Sequence, residues 1–176
     1  FLCKAFNYII KENKEIKIVI AGNGEEEKKL KDFIKRNGLE KNIILLGYVD
    51  NVYPLFKHSK GFILTSLWED PGFVLVEASY CRTPVLSSNS WPGPVELIKN
   101  DFNGIIFEKN NMVSFLDKFK NFSNYSDMDK LKLNNLKQSK KFTLFNHCKH
   151  LAKYNFGNFA GINVGAAERR SDGGGA

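Results

Sequence analysis

Cysteine is scarce. Cys3, Cys81 and Cys148 are the only three in 176 residues, widely spaced and never as a Cys-x-x-Cys pair, which excludes a disulfide framework and leaves no zinc signature. That usage fits a reducing cytoplasm. Long apolar runs are also missing, and none approaches membrane-spanning length, so the composition describes a soluble domain with a proper core. Histidine is limited to His58, His147 and His150. His147 and His150 flank Cys148, but two ligands without a carboxylate partner fall short of a metal site, and none is expected. The aromatic residues are mostly Phe at core-like positions. They do not interleave with a basic stripe, as single-stranded nucleic-acid binding requires, so no nucleic-acid partner is expected.

Excess positive charge is absent from the first 108 residues, which carry 14 basic and 14 acidic side chains. The net charge of +7 arises in residues 109–153, where 10 lysines face 3 aspartates. Residues 154–176 contain six Gly, four Ala and no lysine, and read as a flexible Gly/Ala-rich tail beyond a domain spanning 1–153. At the other end, Leu2, Ala5, Phe6, Ile9 and Ile10 form the apolar stripe of a helix directly from the first residue, Phe1. The expectation is a fragment of a longer protein.

What is present is an alternation. Short β-branched runs, "IKIVIA" (16–21), "IILL" (43–46), "FILTS" (62–66), "PVLSS" (84–88) and "GIIF" (104–107), are separated by amphipathic stretches near 25–37, 51–59, 72–81 and 93–99. Apolar strands joined by helix-length connections predict an α/β fold, a doubly wound, Rossmann-like parallel sheet covered on both faces. Lysine-rich helices over 111–122 and 127–153 follow, the first striped by Phe115, Leu116, Phe119 and Phe122. In such sheets ligands bind at the carboxyl ends of the strands, where helix N-termini offer free N–H groups to anions.

Two loops lie at such ends. "AGNGEEEKKL" has Gly22 and Gly24, but Glu27 stands at the third glycine position of a G-x-G-x-x-G pattern. Glu25, Glu26 and Glu27 would repel a pyrophosphate, so the stretch reads as a tight turn with an acidic helix start. "TSLWEDPGFVLVEA" is different. Pro71 suits a first helical turn, Gly72 permits close approach of a ligand to the backbone, and the N–H groups of Phe73, Val74 and Leu75 are expected to be free. Glu69 precedes this helix and Glu77 lies within it, on the face of Phe73. Two hydroxyl acceptors thus flank one anion site, which suits a ligand with sugars on both sides of a phosphate bridge.

"EDPGFVLVEA" resembles the E-x7-E signature of retaining glycosyltransferases of family four. The flanking "IKIVIAGNGEEEKKLKDFI", "NIILLGYVDNVYPLFKHSKGFILTS" and "CRTPVLSSNSWPGPVELIKNDFNGIIF" agree with that family in order, over about residues 1–122. The resemblance implies the C-terminal, nucleotide-sugar-binding half of a GT-B architecture. It implies that Glu69 meets the donor sugar near the reacting centre and that Glu77 holds the ribose. Gly72, Phe73, Val74 and Leu75 would hold the sugar and diphosphate through backbone N–H groups. The turn at Gly47, Tyr48 and Val49 would lie beside the base, and Gly93 and Pro94, followed by Glu96, would form a second loop closing on the donor. Arg82 stands where the family commonly has a glycine after the helix, which implies a left-handed cap without glycine or a different turn.

The activity implied is transfer of a sugar, with retention, from a nucleoside diphosphate sugar to an acceptor such as a surface polysaccharide or glycolipid precursor. The donor nucleotide would be UDP rather than GDP, with no metal or other cofactor. A sugar or lipid-linked acceptor and a missing N-terminal half would be the other partners, the fragment being inactive alone. The alternative is a non-catalytic nucleotide-sugar-binding module. Retention of both Glu69 and Glu77 favours the enzyme. The basic segment 109–153 adds an expectation of peripheral contact with the inner face of the membrane.

Overall fold

The structure is a computed structural model that describes residues 1–142 and Asn146. Phe1–Phe142 forms one compact unit. The end of the helix expected over 127–153, the tail, His147, Cys148 and His150 lie outside the described residues.

The elements follow the predicted order. They are α1 (Leu2–Glu12), β1 (Ile18–Ala21), α2 (Glu27–Arg36), β2 (Ile43–Gly47), α3 (Tyr53–His58), β3 (Phe62–Leu64), α4 (Phe73–Tyr80), β4 (Val85–Ser88), α5 (Gly93–Leu97), β5 (Ile105–Phe107), α6 (Met112–Ser123) and α7 (Met128–Ser139). All strand pairings are parallel, as helical crossovers require. The strands form two sheets, β1-β2 and β3-β4-β5. Only the second has a strand buried on both faces: every residue of β4 is buried, whereas β1 and β2 alternate and leave Val19, Ile44 and Leu46 exposed. The expectation of full cover on both faces therefore fails for the first sheet.

The main core gathers Phe6, Ile9 and Ile10 of α1, Ile43 of β2, Leu86 of β4, Phe107 of β5 and Phe115 of α6. Phe115 is fully buried and meets Phe107 edge-on at 5.0 Å between ring centroids. Such a pair adds about 0.5–1.5 kcal/mol to the hydrophobic term of about 1.5–3 kcal/mol per ring. Helix α6 starts where Asn111 accepts a hydrogen bond from Ser114 N at 3.0 Å, an N-cap that satisfies an otherwise unpaired donor. Asp127 caps α7 through Lys130 N in the same way. A second cluster, Phe56, Leu75, Ala78, Val85, Leu97 and Ile98, packs under α4 and α5. It seats the helix that carries Glu77.

No helix among the described residues is long and apolar enough to cross a membrane.

Candidate functional site

Strand β3 ends at Leu64, and the chain then runs through Trp68, Glu69, Asp70 and Pro71 to the start of α4. Gly72 is the N-cap of α4 and adopts φ +79°, ψ +48°, a left-handed conformation that glycine reaches without steric cost. A side chain there would also crowd Glu69, since a Cβ would stand 3.0 Å from Glu69 Cγ. The Glu69 side chain therefore lies against the N-terminus of α4. Pro71 falls before the cap rather than in the first helical turn, because the left-handed residue resets the chain direction before the helix begins.

Among the described residues the N–H groups of Phe73 and Val74 have no hydrogen-bond partner, and no side chain caps the helix. They add their partial positive charge to that of the helix terminus. Leu75 departs from the expectation of a free donor: its N–H donates to Gly72 O at 2.9 Å and its side chain is buried in the second core cluster. A 3₁₀-type closure of the first turn engages the third donor. Helical geometry then places Glu77 one turn after Phe73.

Glu69 and Glu77 are both half-buried. Among the described residues neither takes part in an ion pair or a side-chain hydrogen bond. Glu77 is felt by its neighbour Cys81, whose thiol is pushed up first by burial and then by the Glu77 charge, with Lys57 acting against both. Glu69 beside the start of α4 and Glu77 one turn further along it can accept hydroxyls, and the Phe73 and Val74 N–H groups can donate to an anion.

The second loop is locked to the first. Gly93 N donates to Glu69 O at 2.9 Å, and Glu69 and Pro92 form an isolated parallel bridge. A Cβ on Gly93 would lie 2.3 Å from Pro71 O, so glycine is needed for close backbone approach rather than for φ. Gly93 and Pro94 are both buried. The Gly93 N–H is thus already engaged, and proline has none, so neither offers a free backbone donor. Gly93 ties this loop to the Glu69 loop, while the Pro94 carbonyl accepts from Ile98 N at 2.9 Å within its own segment.

Tyr48 is exposed and Val49 half-buried, just past the carboxyl end of β2. Gly47 has φ +68°, and Gly22 N donates to its carbonyl at 2.7 Å, so the turn after β1 and the turn after β2 are joined. Among the described residues no backbone hydrogen bond links them to the Glu69 loop. The acidic stretch reads as expected, with Glu26–Lys29 and Glu27–Lys31 ion pairs on the first turns of α2. Arg82 takes the left-handed cap, φ 58°, with Thr83 N donating to Ala78 O at 3.0 Å.

Sequence reasoning missed the serines at the end of β4. Ser88 Oγ donates to Ser66 O at 2.7 Å and lies 3.3 Å from Ser90 Oγ, pinning the chain that leaves β3 to the chain that leaves β4. A run of small polar residues ending a strand that is otherwise buried was the available signal. A cavity of about 710 Å³, lined by Lys11, Lys14, Lys17, Lys41 and neighbours, lies away from this loop cluster. It shares no residue with the carboxylates and helix terminus described above. Among the described residues no cluster of His, Cys, Asp and Glu could hold a metal.

Residues 1–141 match the family model described as glycosyl transferases group 1. The chain belongs to that family. Its relatives include the UDP-Gal:alpha-D-GlcNAc-diphosphoundecaprenol alpha-1,3-galactosyltransferase of Escherichia coli, 33% identical over 120 residues, covering 66% of this chain and 31% of the relative. The GalNAc-alpha-(1->4)-GalNAc-alpha-(1->3)-diNAcBac-PP-undecaprenol alpha-1,4-N-acetyl-D-galactosaminyltransferase of Campylobacter jejuni is 30% identical over 147 residues, 83% of this chain and 40% of the relative. The chain thus spans less than half the length of these two, 31% and 40%. Among solved structures, Anabaena HepE in complex with UDP aligns with TM-score 0.75 and 21% identity, over 87% of this chain and 43% of that one. Staphylococcus aureus TarM, solved with UDP, aligns with TM-score 0.78 and 24% identity, over 88% and 32%. These neighbours are GT-B glycosyltransferases, and the likeness establishes the Rossmann-like fold.

Proposed function

We propose that this chain is the nucleotide-sugar-binding half of a retaining glycosyltransferase of family four, using a UDP-sugar donor and extending a lipid-linked or polymeric surface glycan. The observation that carries the reading is the pair of half-buried carboxylates, Glu69 beside the start of α4 and Glu77 one turn further along it, together with the two free N–H groups at that start. Glu77 takes the ribose hydroxyls, the Phe73 and Val74 N–H groups take the diphosphate, and Glu69 meets the donor sugar. Tyr48 and Val49 lie beside the base. As the glycosidic bond breaks, charge builds on the leaving diphosphate. A helix N-terminus aimed at it stabilises the transition state more than the ground state. Glu69 orients the sugar and stabilises its developing positive charge, and the acceptor attacks from the face the diphosphate leaves.

The names of the relatives support the donor and acceptor classes: one uses UDP-Gal, and two act on diphosphoundecaprenol-linked sugars. Turnover needs a second half that supplies the acceptor site and the remaining diphosphate contacts. The lysines of α6 and α7 fit reversible adsorption to anionic lipid at the inner face of the membrane, in the cytoplasm.

In a protein carrying both halves, Glu69→Gln is expected to lower turnover much more than it weakens binding of UDP, since UDP lacks the sugar. Parallel rate and binding measurements test this. Equal losses in both would show that Glu69 has no task specific to the sugar.

A further inference from the structure

Helix α7 carries a buried asparagine that the mechanism does not use. Asn135 is 2% exposed, and Ser79 and Thr83 are buried beside it at 6% and 2%. The Ser79 hydroxyl lies 2.5 Å from Leu75 O and 2.7 Å from Asn135 Oδ1, its single proton serving these two acceptors. Asn135 Nδ2 donates to Thr83 O at 3.1 Å, and Thr83 Oγ1 donates to Phe56 O at 2.7 Å. One amide thus bridges the two ends of the turn that leaves α4, and that turn contains the left-handed Arg82. A buried side-chain amide is costly unless both its ends are satisfied. Here both are, by the helix that bears Glu77 and by the segment entering β4.

From this geometry we infer that Asn135 is a positioning residue for the donor site, setting the rotation and height of α4 and so the aim of Glu77 and of the Phe73 and Val74 N–H groups. The inference rests on the donor-site reading above. Helix α4 has only eight residues, so its clamped end and its free N–H groups are separated by about 9 Å of rigid helix at 1.5 Å per residue. Apolar packing alone fixes such a short helix poorly against rotation, because hydrophobic contact is non-directional. The amide supplies direction. Asn135 does not touch the donor.

Calorimetric titration of the 176-residue chain with UDP, well below each variant's melting temperature, tests this. Asn135→Ala is expected to bind UDP roughly fivefold or more weakly, within the range by which non-contacting residues change affinity. Leu131→Ala serves as the control. Leu131 is buried on the same helix but belongs to the main core rather than the α4 cluster. It should lower the melting temperature while leaving UDP affinity near that of the parent. Equal affinity in Asn135→Ala and the parent, or equal loss in both variants, overturns the inference. Should Asn135→Ala not fold, Ser79→Ala removes one of its two partners and is expected to weaken UDP in the same direction; unchanged affinity there overturns the inference as well. A parent chain that fails to bind UDP overturns the donor-site reading itself, and this inference with it.

Discussion

Replacing Gly93 by alanine perturbs the contact that holds the Glu69 loop in place. The added Cβ would stand 2.3 Å from Pro71 O, 2.7 Å from Pro71 C and 3.0 Å from Glu69 O. All three are backbone atoms, so no rotamer change relieves the clash and the two loops must separate. Overpacking of this kind costs about 1–3 kcal/mol. Separation also weakens the Gly93 N–H to Glu69 O hydrogen bond of 2.9 Å, worth about 1 kcal/mol. The expected total is about 2–4 kcal/mol, which at roughly 2–4 °C per kcal/mol for a chain of this size lowers the melting temperature by about 4–16 °C. Differential scanning calorimetry measures it. Gly24→Ala is the internal control, because a Cβ there meets nothing within 4 Å. If Gly93→Ala melts with the parent and binds UDP as the parent does, the two loops are not locked as described and the reasoning fails.

Arg82 holds φ 58° with an exposed side chain, so Arg82→Gly is expected to stabilise the chain by up to about 1 kcal/mol in urea denaturation, and a loss of stability would refute the strain. The Cys81 thiol is raised by burial and by the Glu77 charge, so its thiolate fraction at neutral pH is below that of a free cysteine. Iodoacetamide should label Cys81 slowly at neutral pH and faster as pH rises. Glu77→Gln should accelerate the labelling at fixed pH, as followed by peptide mass spectrometry, and an unchanged rate would remove Glu77 from the vicinity of the thiol.

The five strands and the helices of residues 1–142 were legible because their signals are local: β-branched runs for the strands, apolar stripes such as Phe115 and Phe122 for the helices. The placement of Glu69 on the turn and of Glu77 within α4 was legible for a similar reason, since a strand, a turn and a helix fix their spacing within one short segment. What the sequence did not disclose depends on contacts between segments. That the Gly93 N–H is engaged by the Glu69 carbonyl, with Pro71 packed against the glycine, depends on such a cross-loop contact. Leu75 looked like a free donor until the left-handed Gly72 closed the first turn tightly. The open face at Val19, Ile44 and Leu46 was hidden because an apolar run reads the same whether or not anything covers it. Asn135, remote by 56 residues from Ser79, left no local signal at all.

The account turns on whether α4 and its two carboxylates form a nucleotide site. Calorimetric titration of UDP onto the 176-residue chain and onto its Glu77→Ala variant tests that most directly. The account predicts saturable binding by the parent and a loss of about 1–3 kcal/mol, or roughly 5- to 150-fold in Kd, when the ribose hydroxyls lose a charged acceptor. No binding by the parent, or identical affinity in the two chains, would contradict it.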